Sequence, residues 1–222
     1  IFQFQLRLFL LITLIQMARE LDLNMPVIEN ISPLHFDHKL GFYGDYENKD
    51  DILKLTEVKE LSIFQIAKFK KSIVDINQIT FNNLKLPTKS LTVTSDNIVR
   101  ILWVGPDTWL IISKDKKLIE NIHSIFNEND FAVTDISQSR AVIEISGSKS
   151  KDVLKKGSPL NFNNDMFKPN NCANTTYNGI NIIIDFISEE PDCFNLFALR
   201  SFGGSFYHSI TDSCLEYGYE AI

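Results

Sequence analysis

Residues 99–113 read VRILWVGPDTWLIIS, and this stretch decides the fold. Val99–Val104 and Trp109–Ser113 are rich in the β-branched, aliphatic and aromatic residues that favour strands. Between them lies Gly105-Pro106-Asp107-Thr108, and Gly and Pro at such a tip predict a β-hairpin. An amphipathic helix is predicted over Lys116–Asn127, because apolar residues recur there at helical spacing, namely Leu118, Ile119, Ile122, Ile125 and Phe126.

A second hairpin followed by a helix is predicted towards the end of the chain. Strands are predicted at Ile180–Ile187 and Phe194–Leu199, and a helix at Gly204–Tyr217. The dipeptide Asn178-Gly179 is typical of a type I′ turn and leads into the first of these strands. The order of strand, turn, strand and helix in residues 99–127 therefore occurs twice.

Shorter segments complete each half. The predicted strands are Leu61–Phe69, Phe131–Asp135, Ala141–Ser146 and Cys172–Tyr177, and the predicted helices are Lys71–Ile79 and Lys149–Lys156. Gly147 is predicted to turn the chain, Ser148 to cap the helix after it, and Gly157 with Pro159 to end that helix. The predicted fold class is α+β, with duplicated ferredoxin-like (β-α-β-β-α-β) halves whose helices lie on one face of mostly antiparallel sheets.

Composition excludes several classes of protein. The 222 residues are 44% hydrophobic and 23% charged, which is typical of a folded globular chain. The net charge is −6, and no concentrated basic face is visible, so neither nucleic acid nor a membrane is an expected partner. Three widely spaced cysteines, Cys172, Cys193 and Cys214, indicate reduced thiols in a cytoplasmic protein.

The chain divides into three segments by pattern. Residues 1–16 are apolar at eleven positions, fewer than the ~20 that span a bilayer, and a polar, start-like segment begins at Met17. We predict that residues 1–16 are an upstream or non-native extension. Residues 17–51 are predicted to be an irregular lead-in that wraps around a partner, and residues 52–222 a single domain.

No complete active-site motif is present in the sequence. Both G-x-G-x-x-G and the P-loop motif are missing from the sequence. Residues 200–205, Arg-Ser-Phe-Gly-Gly-Ser, allow an anion site at a helix start, but the preferred interpretation is that Ser201 caps the helix. Cys172 is predicted to be a small buried thiol at the start of a strand. The remaining candidates are interpreted as solvated or structural groups, namely His35, His38, His123, His208, Asp50, Asp51, Glu189 and Glu190.

Several ordered motifs resemble those of one family. They are Asn83–Pro87, Ile101–Ile111, Thr134–Ser137 with Arg140, Ile145–Gly147, Leu154–Leu160, Phe167–Thr175 and Phe194–Phe202. Together they resemble the gamma subunit family of heterotetrameric sarcosine oxidase, over roughly residues 60–220, and Trp-x-Gly-Pro-Asp-x-Trp-Leu is the most specific piece.

The resemblance implies a fold and a function. The fold would be that of the folate-binding domain of the glycine-cleavage T-protein, and the chain would be a non-catalytic subunit of an oxidoreductase complex. Its partners would be the alpha, beta and delta subunits, which would carry FAD, FMN, NAD, zinc and tetrahydrofolate, while this chain would hold no cofactor. The complex would oxidatively demethylate sarcosine to glycine and transfer the one-carbon unit to tetrahydrofolate.

The matched motifs also imply structural or interface roles. Gly105 and Pro106 would fix the hairpin turn at Asp107, and Trp103 and Trp109 would anchor the core or an interface. Asp135 and Arg140 are close enough in sequence to pair across the end of a strand. Further motif positions with a structural or interface role are Gly147, Pro159, Cys172, Arg200 and Ser201.

Two other functions fit the same pattern. One is a free-standing folate-dependent aminomethyl or methyl transferase of the T-protein type, for which a single domain is short. The other is an unrelated ferredoxin-like interaction module. Tetrahydrofolate binding by the isolated chain would favour the first of these.

Overall fold

The computed structural model describes residues 31–46 and 52–222. The predicted extension 1–16 and part of the predicted lead-in, residues 17–30 and 47–51, lie outside this range. Within it, Ser32–Ile222 group as one compact unit. The later part of the lead-in therefore belongs with the domain predicted for residues 52–222.

Within the described residues the structure has fourteen strands and four α-helices. The strands are β1 (Gly41–Tyr43), β2 (Leu53–Glu57), β3 (Ser62–Lys68), β4 (Thr80–Phe81), β5 (Leu84–Lys85), β6 (Val93–Ser95), β7 (Val99–Gly105), β8 (Thr108–Ser113), β9 (Phe131–Asp135), β10 (Arg140–Ser146), β11 (Cys172–Tyr177), β12 (Ile180–Glu189), β13 (Asp192–Leu199) and β14 (Tyr219–Ala221). The helices are α1 (Lys116–Glu120), α2 (Ile122–Ile125), α3 (Ser150–Gly157) and α4 (Gly203–Cys214).

Two large sheets repeat one strand order. The five-stranded sheet has the order β6-β7-β8-β3-β9, and the seven-stranded sheet has the order β1-β14-β2-β10-β13-β12-β11. In the five-stranded sheet, β3, β7, β8 and β9 are the first to fourth of these strands along the chain. Across the sheet they lie in the order β9-β3-β8-β7, which is fourth, first, third and second. Strands β10, β12, β13 and β14 repeat this order, with β2 inserted between β14 and β10. The predicted duplicated ferredoxin-like fold is confirmed.

The two sheets pack face to face, and helices cover their outer faces. A buried cluster between the sheets takes Ile63, Val93, Leu102, Leu110 and Ile112 from one, and Val142, Cys172, Ile183 and Phe197 from the other. On the far side of the seven-stranded sheet, α3 and α4 complete a larger core. Helix α2 and the β4-β5 hairpin cover the five-stranded sheet. Each sheet is therefore buried on both faces, which explains the continuous buried run Trp109–Ser113, apolar up to Ile112.

The predicted helix at residues 71–79 is wrong. Only Ile76–Gln78 forms a single 3-10 turn, and Ile73 is fully exposed. The Asp75 side chain accepts a hydrogen bond from the Asn77 amide at 3.0 Å, which offers the backbone an alternative to a helix. Because a short helix must overcome a costly first turn, this local competition is enough to prevent it.

The helix predicted over residues 116–127 is broken into α1 and α2. Asn121 lies between them with φ −88° and ψ 3°, outside helical geometry, and its side chain caps nothing. The apolar spacing does indicate which side chains are buried, because Ile122 and Phe126 both lie in the buried cluster under the five-stranded sheet. Burial of those two side chains does not require one continuous helix.

The lead-in adds buried and hydrogen-bonded residues to the seven-stranded sheet. Leu34 is completely buried in the core beside α4. Strand β1 pairs antiparallel with β14, with Phe42 opposite Glu220. Glu57 on β2 accepts hydrogen bonds from the Ser32 hydroxyl and from the Leu34 amide. These contacts are made between distant parts of the chain, so no local sequence pattern predicts them.

Helix α3 begins one residue later than the predicted Lys149 and ends at Gly157. Lys149, not Ser148, occupies the N-cap position, and no side chain caps it. Gly157 is the last helical residue, and a Cβ there would lie 2.6 Å from the Tyr177 ring carbon Cζ. The Gly157 backbone is helical and not left-handed, so conformational freedom does not explain this glycine. It is needed because a side chain would collide with the Tyr177 ring.

Candidate functional site

A buried ion pair joins the two sheets. Arg100 on β7 donates from Nε and Nη2 to the two carboxylate oxygens of Asp185 on β12, at 2.7 Å each. Asp185 is 0% exposed and Arg100 18%. Burial raises the pKa of Asp185, and hydrogen bonding and charge attraction from Arg100 oppose that rise. Neither residue was singled out from sequence, although a carboxylate inside the apolar run Ile182–Phe186 is an available signal.

Backbone hydrogen bonds extend this connection into a seam. Residues 91–93, just before and at the start of β6, run beside residues 170–172 before and at the start of β11. The Cys172 amide donates to the Leu91 carbonyl at 3.0 Å, and the Val93 amide to the Asn170 carbonyl at 2.9 Å. The Asn170 side chain accepts from the Ser95 hydroxyl at 3.0 Å. The two halves are therefore held together by charge, backbone and side-chain contacts at one edge.

Cys172 lies inside this seam as a buried thiol. Its Sγ donates to the Trp103 carbonyl at 3.1 Å, and the side chain is 1% exposed. Burial, with a contribution from the Asp185 charge, raises the pKa of the thiol to about 12. A thiol that stays protonated at neutral pH is a poor nucleophile. The predicted burial of Cys172 at the start of a strand is observed, and its structural role in the family motif stays a prediction.

The two tryptophans of the hairpin at residues 103–109 differ in burial. Trp109 is 1% exposed, and its indole Nε1 donates to the Pro87 carbonyl at 2.7 Å. Trp103, on β7, pairs with Trp109 across the hairpin but is only half-buried. Core packing thus claims Trp109, while an interface role for Trp103 stays a prediction.

The turn of this hairpin depends on Pro106 and Asp107. Asp107 has φ +52°, and Pro106 precedes it, which is the pattern of a type II turn. Gly105 has no left-handed backbone, and the nearest atom to a Cβ there would be 3.9 Å away. The predicted hairpin turn is confirmed. Neither the backbone nor the surroundings of Gly105 require glycine, and its role in fixing the turn stays a prediction. The Asp107 carbonyl accepts from the Lys68 amide at 2.9 Å, which ties the hairpin tip to the end of β3.

Asp135 and Arg140 do not form the predicted pair. The Asp135 carboxylate accepts from the Ser137 amide at 2.9 Å and from the Ser137 hydroxyl at 2.5 Å. Arg140 is half-buried, its Nε has no hydrogen-bond partner in the described residues, and burial lowers its pKa. The Asp135 carboxylate instead accepts hydrogen bonds within a short local turn, because Ser137 is only two residues away.

A carboxylate of the chain itself, Asp37, lies beside the start of α4. Phe202 is the N-cap of α4 and no side chain caps it, so the predicted cap at Ser201 is wrong. Arg200 and Ser201 lie in a preceding 3-10 turn, Arg200 half-buried and Ser201 exposed. A Cβ on Gly204 would stand 2.7 Å from Asp37 Oδ2, so this glycine admits the carboxylate to the first helical turn.

His208 holds the same carboxylate in place. Its Nε2 lies 2.8 Å from Asp37 Oδ1, although the two residues are 171 positions apart. No motif spacing predicted this partner. Next to it, the His38 ring meets the Tyr207 ring edge-on, with centroids 5.4 Å apart. The His35-Phe-Asp-His38 segment therefore packs against α4.

The remaining predicted residues have plain structural surroundings. Gly147 has φ +129° and a Cβ there would lie 3.2 Å from Leu53 Cδ2, so glycine is required at this turn. Pro159 is exposed after α3 and lines an open cleft of about 510 Å³ with Asn174, Thr175, Thr176 and Asn181. Any contact of these residues with another chain stays a prediction.

No group of three or more His, Cys, Asp or Glu side chains in residues 31–46 and 52–222 is placed to hold a metal ion. Across the same described ranges, no helix combines the length and apolar character needed to cross a bilayer.

The fold and its contacts define a class of protein: a duplicated ferredoxin-like domain in which the Arg100–Asp185 ion pair and the Cys172 thiol lie buried between the two halves. The model of the sarcosine oxidase gamma subunit family matches residues 75–216, more than half of the chain. This chain belongs to the sarcosine oxidase gamma subunit family.

Two relatives in sequence carry that description. Sarcosine oxidase subunit gamma of Corynebacterium sp. (strain P-1) is 26% identical over 123 residues, which covers 55% of this chain and 60% of the relative. The same subunit of Corynebacterium sp. (strain U-96) is 23% identical over 118 residues, or 53% and 57% of the two chains. The matched part is thus less than two thirds of either relative.

Two solved structures share the fold. A chain of heterotetrameric sarcosine oxidase from Corynebacterium sp. U-96, solved with pyrrole 2-carboxylate, matches with a TM-score of 0.71 at 19% identity, over 83% of this chain and 94% of that chain. Glycine cleavage system aminomethyltransferase T from Bartonella henselae matches with a TM-score of 0.51 at 8% identity, over 72% and 45%. The predicted likeness to the T-protein fold is confirmed.

Proposed function

We propose that this chain is the non-catalytic gamma subunit of a heterotetrameric sarcosine oxidase, assembled with alpha, beta and delta subunits. Membership of the gamma subunit family is the observation that carries the proposal. The likeness to a chain of the Corynebacterium heterotetramer, over 94% of that chain, supports it. In this assignment the complex demethylates sarcosine to glycine and passes the one-carbon unit to tetrahydrofolate.

The chemistry of the buried groups is consistent with a supporting role. Arg100 and Asp185 satisfy each other, and the Cys172 thiol is protonated and enclosed. The carboxylate of Asp37 lies beside Gly204, at the helix start that was the best candidate for an anion site. FAD, FMN, NAD, zinc and tetrahydrofolate are accordingly assigned to the partner subunits, and the complex to the cytoplasm.

Co-expression with the other three subunits tests this assignment. We expect the chain to co-purify in a yellow, flavin-containing assembly that oxidises sarcosine, and to be colourless when purified alone. A chain that stays out of the assembly contradicts the proposal. Tetrahydrofolate binding by the isolated chain would instead favour a transferase of the T-protein type, although the match covers only 45% of the aminomethyltransferase.

A further inference from the structure

The loop after β3 presents apolar and basic side chains to solvent together. We call residues 69–73 the anchor loop. Ile73 is 100% exposed and Phe69 43%. Lys70 and Lys71 lie between them in sequence and are both exposed. The loop therefore leaves apolar surface in contact with water, and burial of that surface against a partner would be favourable.

Hydrogen bonds hold the anchor loop in one conformation. The Ser72 amide donates to the Phe69 carbonyl at 3.0 Å, which closes a tight turn. The Ser72 hydroxyl donates to Asp130 at 2.5 Å, and the Phe69 amide donates to the Asp130 carbonyl at 2.9 Å. Ile73 is thus displayed on a preformed turn, and docking it would cost little conformational entropy.

The charges of the anchor loop are available to a partner. Neither Lys70 nor Lys71 forms a salt bridge with any residue that the structure describes. The nearby Asp130 carboxylate is engaged by Ser72. A complementary surface would offer an apolar pocket for Ile73 with Asp or Glu side chains at its rim, which is the usual anatomy of a protein interface.

The position of the loop connects it to the family motif. The Lys68 amide, one residue before the anchor loop, donates to the carbonyl of Asp107 at the tip of the Trp-x-Gly-Pro-Asp-x-Trp hairpin. The anchor loop and the exposed hairpin tip therefore form one end of the five-stranded sheet. An anionic membrane is a poorer match, because polybasic membrane segments carry ~4–8 basic residues and this loop carries two.

We propose that the anchor loop docks into an apolar pocket with an acidic rim on another subunit of the assembly, with Ile73 as the buried anchor and Lys70 and Lys71 as its charged flank. This inference rests on the proposed function. It adds which surface of the chain makes the contact and what chemistry the facing surface has.

Single substitutions in the full-length chain test the anchor loop. We expect Ile73→Asp to weaken binding to the other three subunits by about tenfold or more, as for a central interface residue. Because Ile73 is fully exposed in the isolated chain, its unfolding curve should not move. The matched control is Ile98→Asp, since Ile98 is 52% exposed and precedes β7 at the end opposite the hairpin tip.

The charged flank has its own test. We expect the double variant K70E/K71E to weaken assembly at low ionic strength and to approach the wild type as salt is added, because salt screens exposed charges. Size-exclusion chromatography and surface plasmon resonance with the other subunits measure both effects.

The outcomes separate the two proposals. A wild-type chain that does not join the subunits contradicts the proposed function. If the wild type joins and Ile73→Asp joins equally well, the anchor loop proposal is overturned while the proposed function stands. Binding of the wild type to phosphatidylserine vesicles, lost in Ile73→Asp, would also overturn it.

Discussion

The guanidinium of Arg100 and the carboxylate of Asp185 form a two-pronged ion pair across the two sheets, with both N–O distances at 2.7 Å. The residues belong to different ferredoxin-like halves and are 85 positions apart. Because Asp185 has no exposed surface, its charge depends on this one partner for compensation. The pair therefore couples the stability of one half to the presence of the other.

Removal of Arg100 should cost more than neutralisation of Asp185. Arg100→Met leaves a buried carboxylate without a counter-ion, and we expect a loss of about 3–5 kcal/mol in the free energy of unfolding. Asp185→Asn keeps an acceptor for Arg100, so about 1–3 kcal/mol is expected. Urea denaturation at pH 7 measures both. Equal losses for the two variants would contradict the argument.

The Arg100→Met variant should also regain stability in acid. Burial raises the pKa of Asp185, so without Arg100 the folded state binds a proton more readily than the unfolded state, whose aspartate pKa is about 3.9. Proton uptake then favours folding as pH falls. We expect the deficit relative to the R100M/D185L double variant to shrink between pH 7 and pH 4. A deficit that grows on acidification would rule this out.

Trp109 and Trp103 should respond differently to the same change. Trp109→Phe removes the hydrogen bond to the Pro87 carbonyl and leaves a void in the core, at an expected cost of about 2–4 kcal/mol. Trp103→Phe changes a half-buried side chain, and about 1 kcal/mol or less is expected. Unfolding curves of the isolated variants measure the difference. A larger effect at Trp103 would reverse the assignment of Trp109 to the core.

Two glycines offer a matched comparison. Gly157→Ala places a Cβ 2.6 Å from the Tyr177 ring, and we expect a loss of about 1–3 kcal/mol from overpacking. Gly105→Ala meets nothing closer than 3.9 Å and needs no unusual backbone, so its effect should stay within about 0.5 kcal/mol. Thermal unfolding of both variants checks this. A destabilised Gly105→Ala would show that the turn does depend on glycine.

The three thiols should be unreactive while the chain is folded. Burial is the main cause that raises the pKa of Cys172, Cys193 and Cys214 to about 12, so their thiolate fraction at pH 8 is very small. We expect all three to react with Ellman's reagent within minutes in 6 M urea and far more slowly in buffer. Cys193 is only partly buried and should be the first to react in the native chain. Rapid native labelling of Cys172 would contradict its enclosure in the seam.

These raised thiol pKa values also give a direction to alkaline stability. The folded state holds the thiol protons more tightly than the unfolded state, in which cysteine titrates near 8.5. The contribution of the thiols to stability is therefore complete below about pH 8.5 and is lost as pH rises towards 12. Replacement of Cys172 by Ala should flatten the decline in unfolding free energy over this range.

Local patterns determined the regular elements and their duplication. Alternation and turn residues placed the strands Phe131–Asp135 and Cys172–Tyr177 with the bounds that the structure has. Asn178 and Gly179 both have positive φ, as their type I′ turn signal required. Repeated hairpins leading into helices indicated the duplicated ferredoxin-like fold. These features follow from the interactions of each residue with its near neighbours, and such interactions are written in the sequence.

Tertiary structure decided the partners of the polar residues. Asp185 binds Arg100, and Asp37 contacts His208, which is 171 positions away. Asp135 accepts a hydrogen bond from Ser137 and does not pair with Arg140. A charged side chain bonds to whichever group the packed fold places within about 3 Å, and for the first two of these pairs that group is supplied by a distant segment. The sequence by itself determined which elements form and that they form twice. Only the packing of the two halves decided which charges join them and that the anchor loop stays exposed.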